Sequence, residues 1–459
     1  MELIILVKKN QELELHIEKT EFPNKGKANY EGETITIKGA IEGQTVKARI
    51  IKNRRNKVEG KVLEVLEKSP LETEIGCVHF GICGGCSYQS IPYEKQLKLK
   101  QKQVAEILDR AEIGKYDYME IVPSPVVEGY RNKMEYSFGD VEKDGPLALG
   151  LHQKGRFYEI EVTEQCNIVD KDFSKILMAV LNYFREKKTS YYNKKQHKGL
   201  LRHLVVRKAI NGGEMLVNLV TSSQGEIDVS EFVEKLTSLE LESKLVGVIH
   251  TINDSLADIV QSDETRLLYG SEIITEELLG LKFKISPFSF FQTNTKGAEV
   301  LYSKVREFIG ETEDKTIFDL YCGTGTIAQM LAPVAKKVYG IEIVEEAVAA
   351  AKENAVLNGL SNCEFIAGDV MEKVAELSDK PDIIVLDPPR DGIHPKAIHK
   401  IIDFAPDTFI YVSCKPSSLE RDLPVFVERG YSVEKVQCVD MFPMTPHVET
   451  VVLMSRKDK

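Results

Sequence analysis

From about residue 284 onward the chain alternates strand-like and helix-like segments, and this alternation constrains its fold more than any other feature. KTIFDLY, KKVYGIE, CEFIA, PDIIVLD and DTFIYVS are short apolar runs rich in β-branched and aromatic residues. Between them, segments near 325–335, 344–357, 395–404 and 417–429 carry apolar residues at helical spacing. Parallel strands cannot be joined by a tight hairpin, so each connection must cross over a face of the sheet. The pattern therefore predicts an α/β, Rossmann-like layer arrangement, a parallel sheet covered on both faces. Such sheets bind ligands outside the carboxyl ends of their strands. The residues that follow each strand are the ones to read for chemistry.

After the first strand stands Asp319-Leu320-Tyr321-Cys322-Gly323-Thr324-Gly325. Glycines in a strand-to-helix turn let a ligand approach the backbone closely, which makes Gly323 and Gly325 candidate cofactor residues. Glu342 ends the next strand, 23 residues after Asp319, where a carboxylate can hydrogen-bond ribose hydroxyls. Asp369 follows the third strand and is placed to reach an adenine amino group. The third dinucleotide glycine and any GxxxxGK are missing. S-adenosylmethionine fits this pattern better than a nucleotide polyphosphate.

Asp387-Pro388-Pro389-Arg390 follows the fourth strand. Its prolines stiffen the turn, and Asp387 can hydrogen-bond a pyrimidine edge. Cys414 follows the fifth strand on the same edge. Carbon 5 of uracil is a poor nucleophile until a thiolate adds at carbon 6, and covalent catalysis of this kind divides one hard step into easier ones. Such a thiol needs nearby positive charge or a helix amino end, and Lys415 and a helix starting near Ser417 are the expected sources. A carboxylate or histidine must then remove the carbon 5 proton. His447 and Glu449 lie two apart in what reads as the closing strand, so they are expected on one face. Glu449 is the chosen base and His447 is given a structural part.

The first two thirds read differently. Residues 12–67 alternate apolar and polar residues between glycine turns, as a small β-barrel does. Residues 71–92 are rich in cysteine and glycine, 93–112 read as an amphipathic helix, and 120–283 as a strand-rich mixed region with a helix near 171–186. The expected domains are 1–70, 71–283 and 284–459, with the helix from 93 packing on the last. Net charge is −11, yet residues 185–208 hold nine Lys/Arg against one Glu. That run reads either as a solvated face or as a phosphate-binding patch, with Tyr191 and Tyr192 available for stacking on unpaired bases. The only early apolar run, Leu3 to Val7, is too short for a signal peptide or a membrane span. The expectation is a cytoplasmic, membrane-free monomer whose cysteines serve a metal or catalysis. Cys77, Cys83, Cys86 and Cys166 form a four-thiolate set suited to zinc or an iron–sulfur cluster, and spacing does not choose between them.

The segment KGKANYEGETITIKGAIEGQTVKARI resembles a TRAM domain, an OB-like RNA-binding barrel. FSFFQTN (288–294), DLYCGTGTI, GIEIVEEAV, DPPRDG, SCKPSSLERDL and DMFPMTPHVET resemble, in order, the motif series of the RumA/TrmA family of RNA uracil-5-methyltransferases. The resemblance covers nearly the whole chain. It implies a methyltransferase domain with an N-terminal TRAM barrel and a mixed α+β central iron–sulfur domain. It also implies that Gln292, Tyr321, Thr326, Glu342 and Asp387 contact the methyl donor or the base, with Cys414 as nucleophile and Glu449 as base. Phe290 and Arg390 fall in segments near the target base. Thr324 and Thr326 depart from relatives that carry Asn or Met there. The asymmetric cysteine set looks like the [4Fe–4S] site of RumA-type members, which also carry the barrel. That points to 23S ribosomal RNA as partner, at one uridine or two. A tRNA substrate and a non-catalytic assembly protein are the alternatives.

Overall fold

The computed structural model describes residues 7–54, 57–156 and 158–457. Most of the early apolar run, up to Leu6, lies outside them. The first six strands are Glu12–His16, Lys19–Glu21, Lys25–Tyr30, Glu33–Lys38, Thr45–Arg54 and Lys57–Glu67. Glu12–His16 pairs with Thr45–Arg49 at one edge of their sheet, and Lys19–Glu21 pairs with Lys25–Lys27 at the other. These two edge strands are successive in the chain, separated only by Ile17 and Glu18, so the sheet curls until its own first segment joins both edges. Ile17 N–H donates to Gln44 O and Glu18 N–H to Lys27 O, each at 2.8 Å, at that corner. Alternate residues point inward, as a period of two requires. Leu13, Leu15, Ile35, Ile37, Val46, Ala48 and Ile50 fill the interior.

Seven strands form the central sheet, in the spatial order Ile160–Glu161, Leu147–His152, Lys133–Asp140, Leu201–Lys208, Glu214–Thr221, Lys244–Ile252, Glu264–Gly270. All neighbours are antiparallel except Glu214–Thr221 and Lys244–Ile252, which are parallel and joined through the helix Val229–Thr237. That helix and Lys171–Glu186 cover one face and bury Phe173, Ile176, Leu177, Phe184 and Phe232 against it. Asp170 starts the longer helix by accepting from the Asp172 N–H, the usual amino-end cap.

In the eight-stranded sheet the order is Cys363–Ala367, Lys337–Glu342, Thr316–Leu320, Ile383–Leu386, Thr408–Ser413, Glu449–Arg456, Tyr431–Val439, Asp117–Tyr118. The first five are parallel, as the alternation implied. Chain order reverses between Thr316–Leu320 and Ile383–Leu386, which opens a crevice at their carboxyl ends. Glu449–Arg456 then runs antiparallel beside Thr408–Ser413. Its first residue therefore lies at the edge where the parallel strands end. The helix Tyr93–Arg110 packs on this sheet too, with Val104, Ile107 and Leu108 in one core with Phe318, Ile384 and Phe409. Two helices that the sequence reading did not place, Thr295–Ile309 and Val370–Glu376, complete the cover.

Candidate active site

The crevice is a cleft of about 1360 Å³ walled by both the eight-stranded sheet and the central sheet. Phe290, Gln292, Tyr321, Gly323, Thr326, Glu342, Asp387, Arg390, Cys414 and Glu449 all line it. Arg131 and Lys133 reach it from the central sheet. Its size exceeds the roughly 300–1,000 Å³ usual for one small ligand, which leaves room for more than one.

The glycine turn after Asp319 is shaped by backbone that only a few residues tolerate. Tyr321, Gly323 and Gly325 all have positive φ, at 66°, 54° and 73°. Gly325 does not line the cleft. It caps the helix Thr326–Leu331, and a Cβ there would lie 2.4 Å from the Phe365 ring. Its part is to let the helix start against that ring. Glu342 accepts from Gly323 N–H at 3.1 Å and from Val344 N–H at 3.0 Å, which holds its carboxylate at the mouth of the turn. Asp369 also lies outside the cleft lining. It precedes the helix Val370–Glu376, where its backbone carbonyl accepts from Glu372 and Lys373, and its charge bears on Tyr321.

Asp319 was read only as a landmark, and the structure makes it part of the site. It is fully buried, with Oδ2 accepting from Ala328 N–H at 2.8 Å and Oδ1 without a partner. Burial, then the charges of Asp387 and Glu342, push its pKa well up. A buried carboxylate oxygen without a donor is costly, and it supplies what an ammonium or hydroxyl of a bound S-adenosylmethionine needs. The residues present therefore fit that cofactor. The available signal was a lone acid inside the apolar strand TIFDL.

Asp387, Glu449 and Cys414 lie within electrostatic reach of one another and of the Arg390 guanidinium. Burial raises Asp387 to about 7. Burial and then the Asp387 charge raise Glu449 to about 8, with Arg390 opposing. Burial, Glu449 and Asp387 push the Cys414 thiol up to about 12, again against Arg390. Lys415 is not the expected source of positive charge, because its Nζ turns to Asp391 at 3.4 Å. The regular helix also starts later, at Leu419, after a short 3₁₀ turn. His447 lies before the strand that begins at Glu449, so the shared-face argument fails for it. It still lines the cleft, with its pKa lowered to about 4 by burial and the nearby Arg390, Lys100 and Arg131. That leaves a neutral imidazole.

The other wall is the segment 286–294. Phe290 is 72% exposed. Asn132 donates to Gln292 O at 3.0 Å and to Thr295 Oγ1 at 2.9 Å, and Thr295 donates to the buried Glu276 at 2.7 Å. The Gln292 side chain bonds Tyr302. The loop that carries Gln292 and Phe290 is thus pinned from the central sheet.

The family model described as tRNA (uracil-5-)-methyltransferase matches residues 92–457. The chain belongs to that family. An uncharacterized RNA methyltransferase of Clostridium tetani is 54% identical over 98% of this chain and 99% of its own length. One from Caldanaerobacter subterraneus is 52% identical over the same shares. The crystal structure of Pyrococcus abyssi tRNA (uracil-54, C5)-methyltransferase in complex with S-adenosyl-L-homocysteine is similar at a TM-score of 0.75. It is 27% identical and covers 96% of this chain and 100% of its own. The protein is an S-adenosylmethionine-dependent RNA methyltransferase of the uracil-5 type.

Two further regions of this methyltransferase bear on the sequence reading. Cys77, Cys83, Cys86 and Cys166 are free thiols in one neighbourhood, where Cys77 and Cys166 add to the burial that raises Cys83 and Cys86. Gly85 N–H donates to Cys83 Sγ at 3.3 Å, and Cys166 accepts from Ile168 and Val169. Among the described residues, however, no three His, Cys, Asp or Glu side chains are arranged to hold a metal ion. The four thiols are soft donors of the kind that suits a cluster. The basic run is also largely spent. Lys187, Lys194 and Lys208 pair with Glu231, Asp258 and Asp170, while Arg185, Arg202 and Arg207 donate to backbone carbonyls. Tyr192 is only 5% exposed, under the Arg202 guanidinium, and Tyr191 bonds Asp140. The aromatic ring offered to solvent there is Tyr158, with Lys195 4.2 Å over it. Among the described residues no helix is long and apolar enough to cross a membrane.

Proposed function

We propose that this enzyme methylates carbon 5 of uridine in 23S ribosomal RNA. The observation that carries the reaction is the meeting of Cys414, Glu449 and Asp387 in one cleft with the donor turn. The target must be flipped from its stack to enter that cleft. Cys414 bonds to carbon 6 and the displaced electron pair makes carbon 5 nucleophilic. S-adenosylmethionine supplies the methyl group and a positive sulfonium charge. A cation brought to three coupled acids lowers all of their pKa values, which favours the thiolate of Cys414 and the carboxylate of Glu449. Carbon 5 takes the methyl as the donor's carbon–sulfur bond breaks. Glu449 then accepts the carbon 5 proton, the carbon 5–carbon 6 double bond re-forms, and Cys414 leaves as the thiolate. Asp387 and Arg390 hold the base, Gln292, Tyr321, Thr326 and Glu342 hold the donor, and Phe290 stacks on RNA.

The choice of 23S RNA rests on a curled N-terminal sheet read as a TRAM barrel over 1–70, together with the four-cysteine set in a central domain over 71–283. Domain 284–459 carries the chemistry. Cys77, Cys83, Cys86 and Cys166 would hold a [4Fe–4S] cluster of structural role, a reading supported by their soft donor set and the N–H groups aimed at sulfur. A second reading is tRNA, favoured by the likeness over 96% of the chain to a tRNA (uracil-54, C5)-methyltransferase. A mass-spectrometric map of 5-methyluridine after reaction with unmodified 23S RNA and tRNA separates them. Methyl on 23S at one or two uridines is the expected result, and methyl on tRNA alone would overturn the ribosomal assignment.

A further inference from the structure

The helix Tyr93–Arg110 buries a polar stripe, Gln96, Lys100 and Gln103, inside its packed face. Lys100 and Asp440 form an ion pair at 2.7 Å with both side chains fully buried. Lys100 also donates to Phe442 O at 3.1 Å. One turn earlier, Gln96 accepts from Met444 N–H at 2.9 Å while donating to Ile91 O at 2.7 Å. Replacing a buried ion pair by apolar residues is often neutral or stabilising, so packing alone is a weak reason for this one.

Both side chains hold the same stretch, the turn 440–448. Val439, just before it, pairs with Glu449, just after it. Phe442, Thr445, His447 and Glu449 from this hairpin line the cleft. The turn is gripped from further points outside the sheet. Tyr130 donates to Pro443 O at 3.0 Å, and Ser87 and Tyr88 N–H both donate to Met444 O at 3.0 Å. Met444 itself has φ of 65°, a left-handed conformation that a non-glycine residue keeps only when its surroundings impose it. Ser87 directly follows Cys86, so the cysteine loop is fastened to this turn as well.

We propose that Lys100 and Gln96 are positioning residues for Glu449, fixing from outside the methyltransferase sheet the turn that carries this carboxylate to the cleft. The inference rests on the reading of Glu449 as the base that takes the carbon 5 proton. Thiol addition and methyl transfer depend on Cys414 and the donor turn, which Lys100 and Gln96 do not touch. Their loss should therefore slow proton removal and release selectively.

Single-turnover reactions of the full chain on an unmodified 23S transcript, or a tRNA transcript if the methyl map falls there, test this. Methyl transferred and covalent RNA–protein adduct on a denaturing gel are followed separately. Lys100→Met combined with Asp440→Asn leaves no unpaired buried charge, and Gln96→Met is close in shape and adds no charge. In each, methyl transfer within about threefold of wild type and adduct decay at least tenfold slower is expected. Adduct decay at the wild-type rate per folded molecule, with only a lower melting temperature, would overturn the proposal. Equal loss of both steps would do the same. Glu449→Gln is the control. If it accumulates no methylated adduct, the assignment of the base fails rather than the positioning.

Discussion

Ser413 pairs with Thr450 across the sheet, so Cys414, leaving the last parallel strand, and Glu449, entering the antiparallel one, come out at neighbouring ends of the same edge. The proposed nucleophile and base, acting on adjacent carbons of one ring, need this proximity. Coupling between them is already visible, because the Glu449 charge is among the causes that raise the Cys414 thiol.

Cys414→Ala should reduce methyl transfer by a factor of at least about 10³, the scale on which removal of an essential nucleophile acts. RNA affinity should stay within about threefold of wild type in a filter-binding assay. Methylation that survives the substitution would remove the covalent mechanism. With the wild type, 5-fluorouridine RNA should form a stable adduct, since fluorine cannot leave as a proton does.

Glu449 and Asp387 make a pH prediction with a definite sign. Burial raises them to about 8 and about 7, whereas unfolded carboxyls titrate near 4. Between those limits the native state keeps protons that the unfolded chain has lost, so stability falls as pH rises. The penalty is absent below about pH 4 and complete above about pH 8. Glu449→Gln and Asp387→Asn should therefore melt progressively higher than wild type from pH 5 to about pH 8, with the gap levelling off above that. A gap that does not change with pH would count against the raised values. In wild type, adduct decay should accelerate over the same range, because only the carboxylate accepts a proton.

Gly325→Ala places a methyl group against the Phe365 ring in a backbone conformation with φ of 73°. The left-handed conformation alone costs an L-residue roughly 1–2 kcal/mol. Donor affinity by calorimetry should fall at least tenfold, with RNA affinity retained. Unchanged donor affinity would show that the turn tolerates the shift.

Protein purified without oxygen should carry iron and sulfide bound through Cys77, Cys83, Cys86 and Cys166. Cys83→Ser should lose them together with the brown chromophore. Zinc in place of iron, or full activity of a preparation free of both, would refute the cluster.

Residues that act through local backbone geometry were legible in the sequence. The glycine turn after Asp319, the carboxylate at the end of the next strand and the cysteine after the fifth all follow from strand order and one sheet edge. Residues whose roles depend on where a side chain turns were not. Lys415 follows Cys414 directly yet reaches Asp391. Asp369 follows its strand as expected but lies outside the cleft lining, at the head of a helix the periodicity did not announce. The charge of 185–208 is mostly met by acids and carbonyls brought from distant segments, which a count along the chain does not register. Asp319 and Lys100 are buried ionisable groups in apolar surroundings, and the partner of Lys100 is brought from 340 residues away.

The contact between Lys100 and Asp440 spans 340 residues. Ribosomes add roughly 5–20 residues per second, so the helix Tyr93–Arg110 exists for on the order of tens of seconds before its acid is made. Through that interval Lys100 has no Asp440 to pair with, and Val104, Ile107 and Leu108 lack most of the core they will join. The curled N-terminal sheet can form on its own strand pairings, whereas these contacts must wait. The tie between this helix and the turn before Glu449 can therefore close only once residue 440 has been made.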